Sequence, residues 1–334
     1  MRAAWYDRTG PAPDVLRVGE LPTPSAGPGE ALVRIRASGI NPSDYKRRGG
    51  WRSMKALAGR VIPHSDGAGV VEDVGPEVER TWIGRRVWIW NAQGGVVYGA
   101  TGGPETGTAA EYVALPMAHV VPLPDGIEFD VGACLGVPAC TAHYAVFADG
   151  DVAGLTVLVQ GGAGAVGEAA VQFARAARAT VVATVSSPEK AARARAAGAH
   201  HVVNYRREDV VEAVRAVSPE GVDRIIEVDF GANIAPDAAL IKPNGVIASY
   251  SSTSQPEPVL PYYPLQFKGA TVRFVQGYLL PRPARQRALS DINRALATNE
   301  LRPAIAARYP LEEIATAHEL AESGRTIGNV VVTV

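Results

Sequence analysis

Residues 155–178 constrain the fold more than any other part of the chain: LTVLVQ, then GGAGAVG, then EAAVQFARAAR. The order is an apolar strand, a glycine-rich turn and an amphipathic helix. Such a unit builds an anion site from backbone alone, because unpaired N–H groups and the positive end of the helix dipole face whatever lies above the turn. Gly161, Gly164 and Gly167 are spaced three apart, giving G-x-x-G-x-x-G instead of the commoner G-x-G-x-x-G. A glycine run alone is weak evidence, but the flanking strand and helix make this a dinucleotide site.

The chain changes texture along its length. The first ~120 residues are rich in Gly and Pro and carry short β-type runs at 31–38, 67–75, 85–90 and 110–115, the spacing of a barrel or sandwich. From about residue 125, helices and strands alternate. Helices are predicted at 138–148, 165–178, 188–197, 207–217 and near 236–240; strands are predicted at 156–160, 180–185, 202–204, 224–227, 245–249 and 271–276. Apolar strands alternating with helices mean a parallel sheet covered on both faces. The tail adds helices at 284–298 and 311–323 and a closing strand at 329–334, which returns to complete the N-terminal β domain. The fold class is therefore α/β.

Bulk properties narrow the function. With 334 residues there is length for two domains, and 33 Lys+Arg against 34 Asp+Glu give a formal net charge of −1. That balance argues against a nucleic-acid partner. No apolar run is long enough to span a bilayer and no leader pattern opens the chain, so a cytoplasmic protein without a membrane partner is expected. The two cysteines, Cys134 and Cys140, lack a zinc-ribbon spacing and read as small buried hydrophobes.

The end of the second strand indicates the cofactor. Binders of the non-phosphorylated dinucleotide usually place Asp or Glu about 20 residues beyond the glycines, on the ribose hydroxyls. Here TVVATV ends in Ser186 and Ser187; Lys190 and Arg193 follow on the next helix, and Tyr205 closes the third strand. Hydroxyls and an ammonium suit a 2′-phosphate, which a carboxylate would repel. Lys190 and Arg193 also fit an ordinary solvated helix face, but the missing acid favours NADPH.

Six ordered segments carry a family resemblance: SGINPSDYKRRG (38–49), IPHSDGAGVVEDVG (62–75), GVPACTAHYAV (136–146), VLVQGGAGAVGEAAVQFA (157–174), AGAHHVVNYRRED (197–209) and YPLEEIATAHELAESGRTIGNVVV (309–332). Together they resemble the medium-chain dehydrogenase/reductase superfamily, and within it the zinc-free quinone oxidoreductases that include ζ-crystallin. The resemblance implies a GroES-like β-barrel domain from 1–124 and 279–334, a doubly wound parallel-sheet Rossmann domain from 125–278, and a cleft where they meet. Zinc-dependent relatives hold their catalytic metal with Cys, His and Cys; the corresponding places here are Asn41, Ser65 and Val137. Val137 offers no ligand atom, and the other two are poor ligands beside thiolate and imidazole, so no metal site is expected.

The same resemblance implies the remaining site residues. Ala165 and Val166 supply N–H groups to the diphosphate, and Thr141 lies under the nicotinamide. The loop at 229–231 with Phe230, the strand end at Ser249 and Tyr250, and Phe274 with Val275 border the adenosine and nicotinamide, while Asn329 reaches the ribose region. Asn41 is the leading hydrogen-bond donor for substrate or nicotinamide ribose, its alternative being a turn amide bonded to its own backbone. Tyr45 is a weaker candidate, because related reductases place a Tyr at the position of Lys46. Asp66, Glu72 and Glu111 read as structural or surface groups. The segment at 88–108, with Trp88, Trp90 and Tyr98, is either a flap over the substrate or a long hairpin, and Trp51 is a further candidate for lining the pocket. A homodimer is implied, with 269–280 as a candidate edge.

Without a metal as Lewis acid, hydride transfer needs an acceptor that delocalises its own charge, and quinones and α,β-unsaturated carbonyls do so. The expected activity is NADPH-dependent reduction of a quinone or activated enone. An enoyl-thioester or other specialised enone reductase and a non-catalytic, crystallin-like NADPH-binding protein are the alternatives.

Overall fold

The computed structural model describes residues 1–51, 57, 59–93 and 106–334. The chain divides into two compact units, Met1–Pro138 with Pro303–Val334, and Ala139–Arg302.

The second unit is built on a six-stranded sheet in the order His201–Asn204, Thr180–Val185, Thr156–Val159, Val222–Glu227, Ile241–Ser249 and Thr271–Phe274. Every neighbouring pair is parallel. Runs such as TVLV and TVVATV have almost no polar face, which suits strands covered on both sides. Leu158, Val182, Ile225 and Ile247 from four adjacent strands form one core with Val214, Phe230 and Ile234 from the covering helices. From Thr156–Val159 the chain winds toward one edge through Thr180–Val185 and His201–Asn204. It then returns to Val222–Glu227, pairs it on the other side of Thr156–Val159, and winds toward the opposite edge. The reversal leaves a crevice at the carboxyl ends of Thr156–Val159 and Val222–Glu227, where such sheets bind ligands.

The first unit carries a seven-stranded sheet. Its main path runs Ile305–Pro310, Asn329–Thr333, Glu30–Ile40, Asp66–Val74, Arg86–Ile89 and Val120–Pro122, with Tyr112–Pro116 also paired to Glu30–Ile40. The closing strand does return to the N-terminal domain: Val330 lies opposite Ile40 and Val332 opposite Ser38 in an antiparallel ladder. The fold is thus α/β, a GroES-like domain together with a parallel-sheet Rossmann domain.

The unit boundaries fall later than 124 and 278, for packing reasons. Ala133 and Cys134, just beyond the short helix Phe129–Gly132, are buried against Ala37 and Val331 of the first unit's sheet. Helix Arg282–Ala297 buries Ala288, Ile292 and Ala295 and ties Asp291 to His143 at 2.8 Å, which places it in the second unit. Cys134 and Cys140 are both buried.

Candidate functional site

The glycine turn assigns a different task to each of its three spaced glycines. Gly161 leaves the strand at a φ of +69°, a left-handed conformation that side chains disfavour. At Gly167 a Cβ would collide with the carbonyl of Gly161, so its absence lets helix and turn close together. Gly164 is different: its φ of −81° suits any residue, and the nearest atom to an added Cβ is 3.5 Å away. Packing therefore does not require glycine there, and the bare backbone leaves room for a ligand to approach.

Gly164 is also the N-cap of helix Ala165–Ala176, and no side chain caps that helix. The first intrahelical bond runs from Glu168 N–H to the Gly164 carbonyl at 2.7 Å. The N–H groups of Ala165, Val166 and Gly167 precede it and are oriented for an external acceptor. An uncapped helix start behind a bare turn is what a diphosphate needs, and the residues present fit a dinucleotide cofactor.

The specificity end of the unit is assembled from neighbouring strand ends. Tyr205 N–H bonds to the Val185 carbonyl at 3.1 Å, which sets Tyr205 beside Ser186. Ser187 caps helix Pro188–Ala196, its hydroxyl accepting from Lys190 N–H at 3.3 Å, so Ser186 and Lys190 share one turn. Ser186 and Lys190 are half-buried and Tyr205 is exposed. Arg193 departs from the expectation: its guanidinium pairs with the buried Glu168 carboxylate, which removes it from the 2′-phosphate group.

A cavity of about 440 Å³ opens between Phe230, Ser249, Tyr250, Phe274 and Val275. Val275 N–H bonds to the Ser249 carbonyl at 2.7 Å and Phe230 N–H to the Ser251 carbonyl at 2.9 Å, so one pair of loops joins these residues. The rings of Phe230 and Phe274 meet edge-on with centroids 5.7 Å apart. Thr141 is buried in helix Val137–Phe147.

In the first unit, Asn41 sits at the start of helix Pro42–Arg48. Its N–H donates to Asp44 Oδ2 at 2.7 Å, and its amide Nδ2 donates to Asp66 Oδ2 at 2.8 Å. The same Asp66 oxygen accepts the Val137 N–H at 2.7 Å. A buried carboxyl thus joins two of the three places where zinc-dependent relatives keep ligands, and Ser65, the third, lies 3.4 Å from Gln93 Oε1. An amide, a hydroxyl and a valine do not fit a zinc ion. Burial pushes the Asp66 carboxyl up to about 8, against the two donors it accepts from, with Asp44 adding to the rise.

Other residues of the first unit are placed as follows. Tyr45 packs half-buried against the cluster of Ile40, Ile314 and Val330. Lys46 holds its ammonium 5.0 Å from the ring centre of Trp51. Asn329 is buried and donates both backbone N–H and Nδ2 to the Ala304 carbonyl, at 2.8 and 2.9 Å. Trp88 and Trp90 are fully buried, so the start of the 88–108 segment is core; the rest of the expected flap, with Tyr98, lies largely outside the described residues.

Sequence reasoning missed a group beneath the turn: Gln160, Thr184, Glu227 and Asp237, all buried. Only the polar residues inside or just after otherwise apolar strands signalled it.

The chain matches the alcohol dehydrogenase GroES-like domain family over residues 27–125 and the zinc-binding dehydrogenase family over residues 165–294. It is 31% identical over 310 residues to the quinone oxidoreductase of Sus scrofa, covering 92% of this chain and 90% of the relative. Among solved structures, an NAD-dependent alcohol dehydrogenase superposes with a TM-score of 0.87 at 30% identity over the whole of both chains. A mycobacterial protein complexed with NADPH superposes with a TM-score of 0.87 at 27% identity, again over the whole of both chains. With the uncapped glycine turn at the switch point of the sheet and a relative this similar over nine-tenths of its length, the chain belongs to the quinone oxidoreductases of the medium-chain dehydrogenase/reductase superfamily.

Proposed function

We propose that the protein reduces quinones or activated α,β-unsaturated carbonyls with NADPH, without a metal ion. The observation that carries this reading is the end of strand Thr180–Val185, where Ser186 takes the place of a carboxylate and shares a turn with Lys190. A 2′-phosphate brings roughly −1.5 to −2 charges to that turn. Hydroxyls and an ammonium stabilise such an anion, and the one carboxylate of this turn, Glu189, is engaged by the Ser187 side chain. When bound, NADPH supplies a hydride from its nicotinamide ring.

The chain's own residues bind, orient and exclude water. The N–H groups of Ala165 and Val166 hold the diphosphate, Gly161 and Gly167 fix the turn, and the Phe230–Phe274 edge with Ser249 shapes the nicotinamide side. Thr141 and Asn329 support the nicotinamide and ribose. Asn41 donates one amide hydrogen to Asp66 and keeps a second for an acceptor; Tyr45 is the weaker donor. Because Asn41, Ser65 and Val137 cannot replace a Lewis acid, the acceptor must delocalise its own charge, which selects conjugated carbonyls over simple ketones.

The test is steady oxidation of NADPH and of NADH against a panel of quinones and enones. Turnover that prefers NADPH, persists in the presence of a chelator and loses that preference in Lys190→Ala supports the reading. Equal or tighter binding of NADH, or loss of activity together with a stoichiometric transition metal, overturns it.

A further inference from the structure

Beneath the glycine turn, three side chains make a buried relay of hydrogen bonds whose directions are fixed, and a fourth, Glu227, lies at its end. Gly161 N–H donates to Thr184 Oγ1 at 3.1 Å. An amide N–H can only donate, so the Thr184 hydroxyl accepts there and sends its own hydrogen to Gln160 Oε1 at 2.7 Å. Gln160 is left to donate from Nε2, which it does to Asp237 Oδ1 at 2.9 Å. The relay ends at Asp237, whose carboxyl neighbours that of Glu227 and interacts with it directly.

Two carboxylates are acceptors only, so a hydrogen bond can join this pair only when a proton lies between them. Both residues are fully buried, and Asp237 Oδ2 and Glu227 Oε2 find no donor elsewhere among the described residues. Two orphaned anionic oxygens side by side in the interior would be costly, and one shared proton satisfies both. Glu227 Oε1 already accepts from Asp229 N–H and from Asn233 Nδ2, donors that suit an anion. The proton therefore rests on Asp237 and is donated to Glu227. The titratable groups facing the pair, Asp229 and Tyr250, bring no positive charge that would favour losing it.

We propose that this shared proton is a positioning element for the nicotinamide dinucleotide. Through Gln160 and Thr184 it keeps the Gly161 N–H turned inward, and so holds the turn in the shape that presents the Ala165 and Val166 N–H groups. Cofactor affinity then depends on the protonation of a pair that need not touch the cofactor. The inference rests on the reading of the glycine turn as the cofactor site. When the proton leaves to solvent, the carboxylates repel, Asp237 moves, and Gln160 loses its acceptor.

The experiment is an NADPH binding titration, by fluorescence or calorimetry, from neutral to alkaline pH. Wild-type protein is compared with Asp237→Asn and Asp237→Leu. One-proton linkage makes the wild-type dissociation constant rise by up to about tenfold per pH unit above the point where the pair loses its proton. In Asp237→Asn the amide donates to Glu227 and its oxygen still accepts from Gln160. That variant is expected to bind with wild-type affinity at neutral pH and to lose this alkaline limb. Titration of the cofactor phosphate is common to both proteins and cancels in the comparison. Asp237→Leu leaves Gln160 Nε2 unpaired and is expected to bind about tenfold or more weakly even at neutral pH. Identical pH profiles for wild type and Asp237→Asn overturn the inference, and this comparison stands even when the leucine variant does not fold. Absence of binding of either nicotinamide dinucleotide at every pH overturns the reading of the turn as well, an outcome distinct from tight binding that is flat with pH.

Discussion

Asp66 ties together, through a single oxygen, the amide of Asn41 and the peptide of Val137, while its other oxygen has no partner among the described residues. Two donors are too few to stabilise a fully buried anion, so burial pushes its carboxyl up to about 8. An unfolded aspartate titrates near ~3.9, so between ~4 and ~8 the native state holds a proton that the unfolded state has lost. Stability from Asp66 is therefore complete below ~4 and is lost as pH rises toward about 8. His64 acts in the opposite sense. Burial lowers it to about 3, so the unfolded state takes up the extra proton and stability falls as pH drops below the ordinary histidine value of ~6.5. In Asp66→Asn one oxygen still accepts both donors and no proton is required. The expected result is a urea midpoint that loses less stability on alkalinisation than wild type, by on the order of 1 kcal/mol per pH unit. Parallel slopes in the two proteins would show that Asp66 is ionised in the native state.

Strand–turn–helix units were readable because each carries two independent signals, an apolar run and a terminator. The helix expected at 188–197 lies at Pro188–Ala196, with Ser187 capping its start. Helix Phe230–Leu240 was visible only from Pro236 onward, because a proline suits a first turn and here lies inside the helix. The strand expected at 245–249 begins earlier, at Ile241, and Pro243, Asn244 and Gly245 accompany a register shift against Val222–Glu227. Ser186, Lys190 and Tyr205 lie on adjoining strand and helix ends, whereas Arg193 pairs with a buried Glu168 that no local pattern advertises. The glycine spacing was legible, the division of labour within it was not, and that division yields a prediction. Gly167→Ala drives a Cβ into the Gly161 carbonyl and is expected to cost about 1–3 kcal/mol of stability along with cofactor binding. Gly164→Ala meets no atom closer than 3.5 Å and should cost no more than about 1 kcal/mol of stability, while still weakening NADPH binding. Thermal unfolding and cofactor titration on both variants separate the two roles, and equal destabilisation would show that Gly164 is only a packing glycine.

At the scale of the whole molecule, the parallel sheet ends in a free edge. Strand Thr271–Phe274 is the last in its order, so one side of its backbone has no ladder partner among the described residues. Such an edge is ordinarily shielded by charge, proline or a partner strand. Here flanking residues are apolar and open to solvent: Phe267 is 80% exposed and Leu279 71%. Solvent-exposed large apolar side chains beside an unpaired edge mark an association surface. A two-fold axis at this edge would let two copies extend each other's sheet while burying Phe267 and Leu279 against their symmetry mates. The expected species in solution is therefore a homodimer, and Phe267→Glu combined with Leu279→Glu should shift it to monomer. The unfolding of that monomer should remain cooperative, because neither side chain belongs to the buried core. Sedimentation across a protein dilution series checks both, and a wild-type protein that sediments as a monomer throughout would require a different cover for this edge.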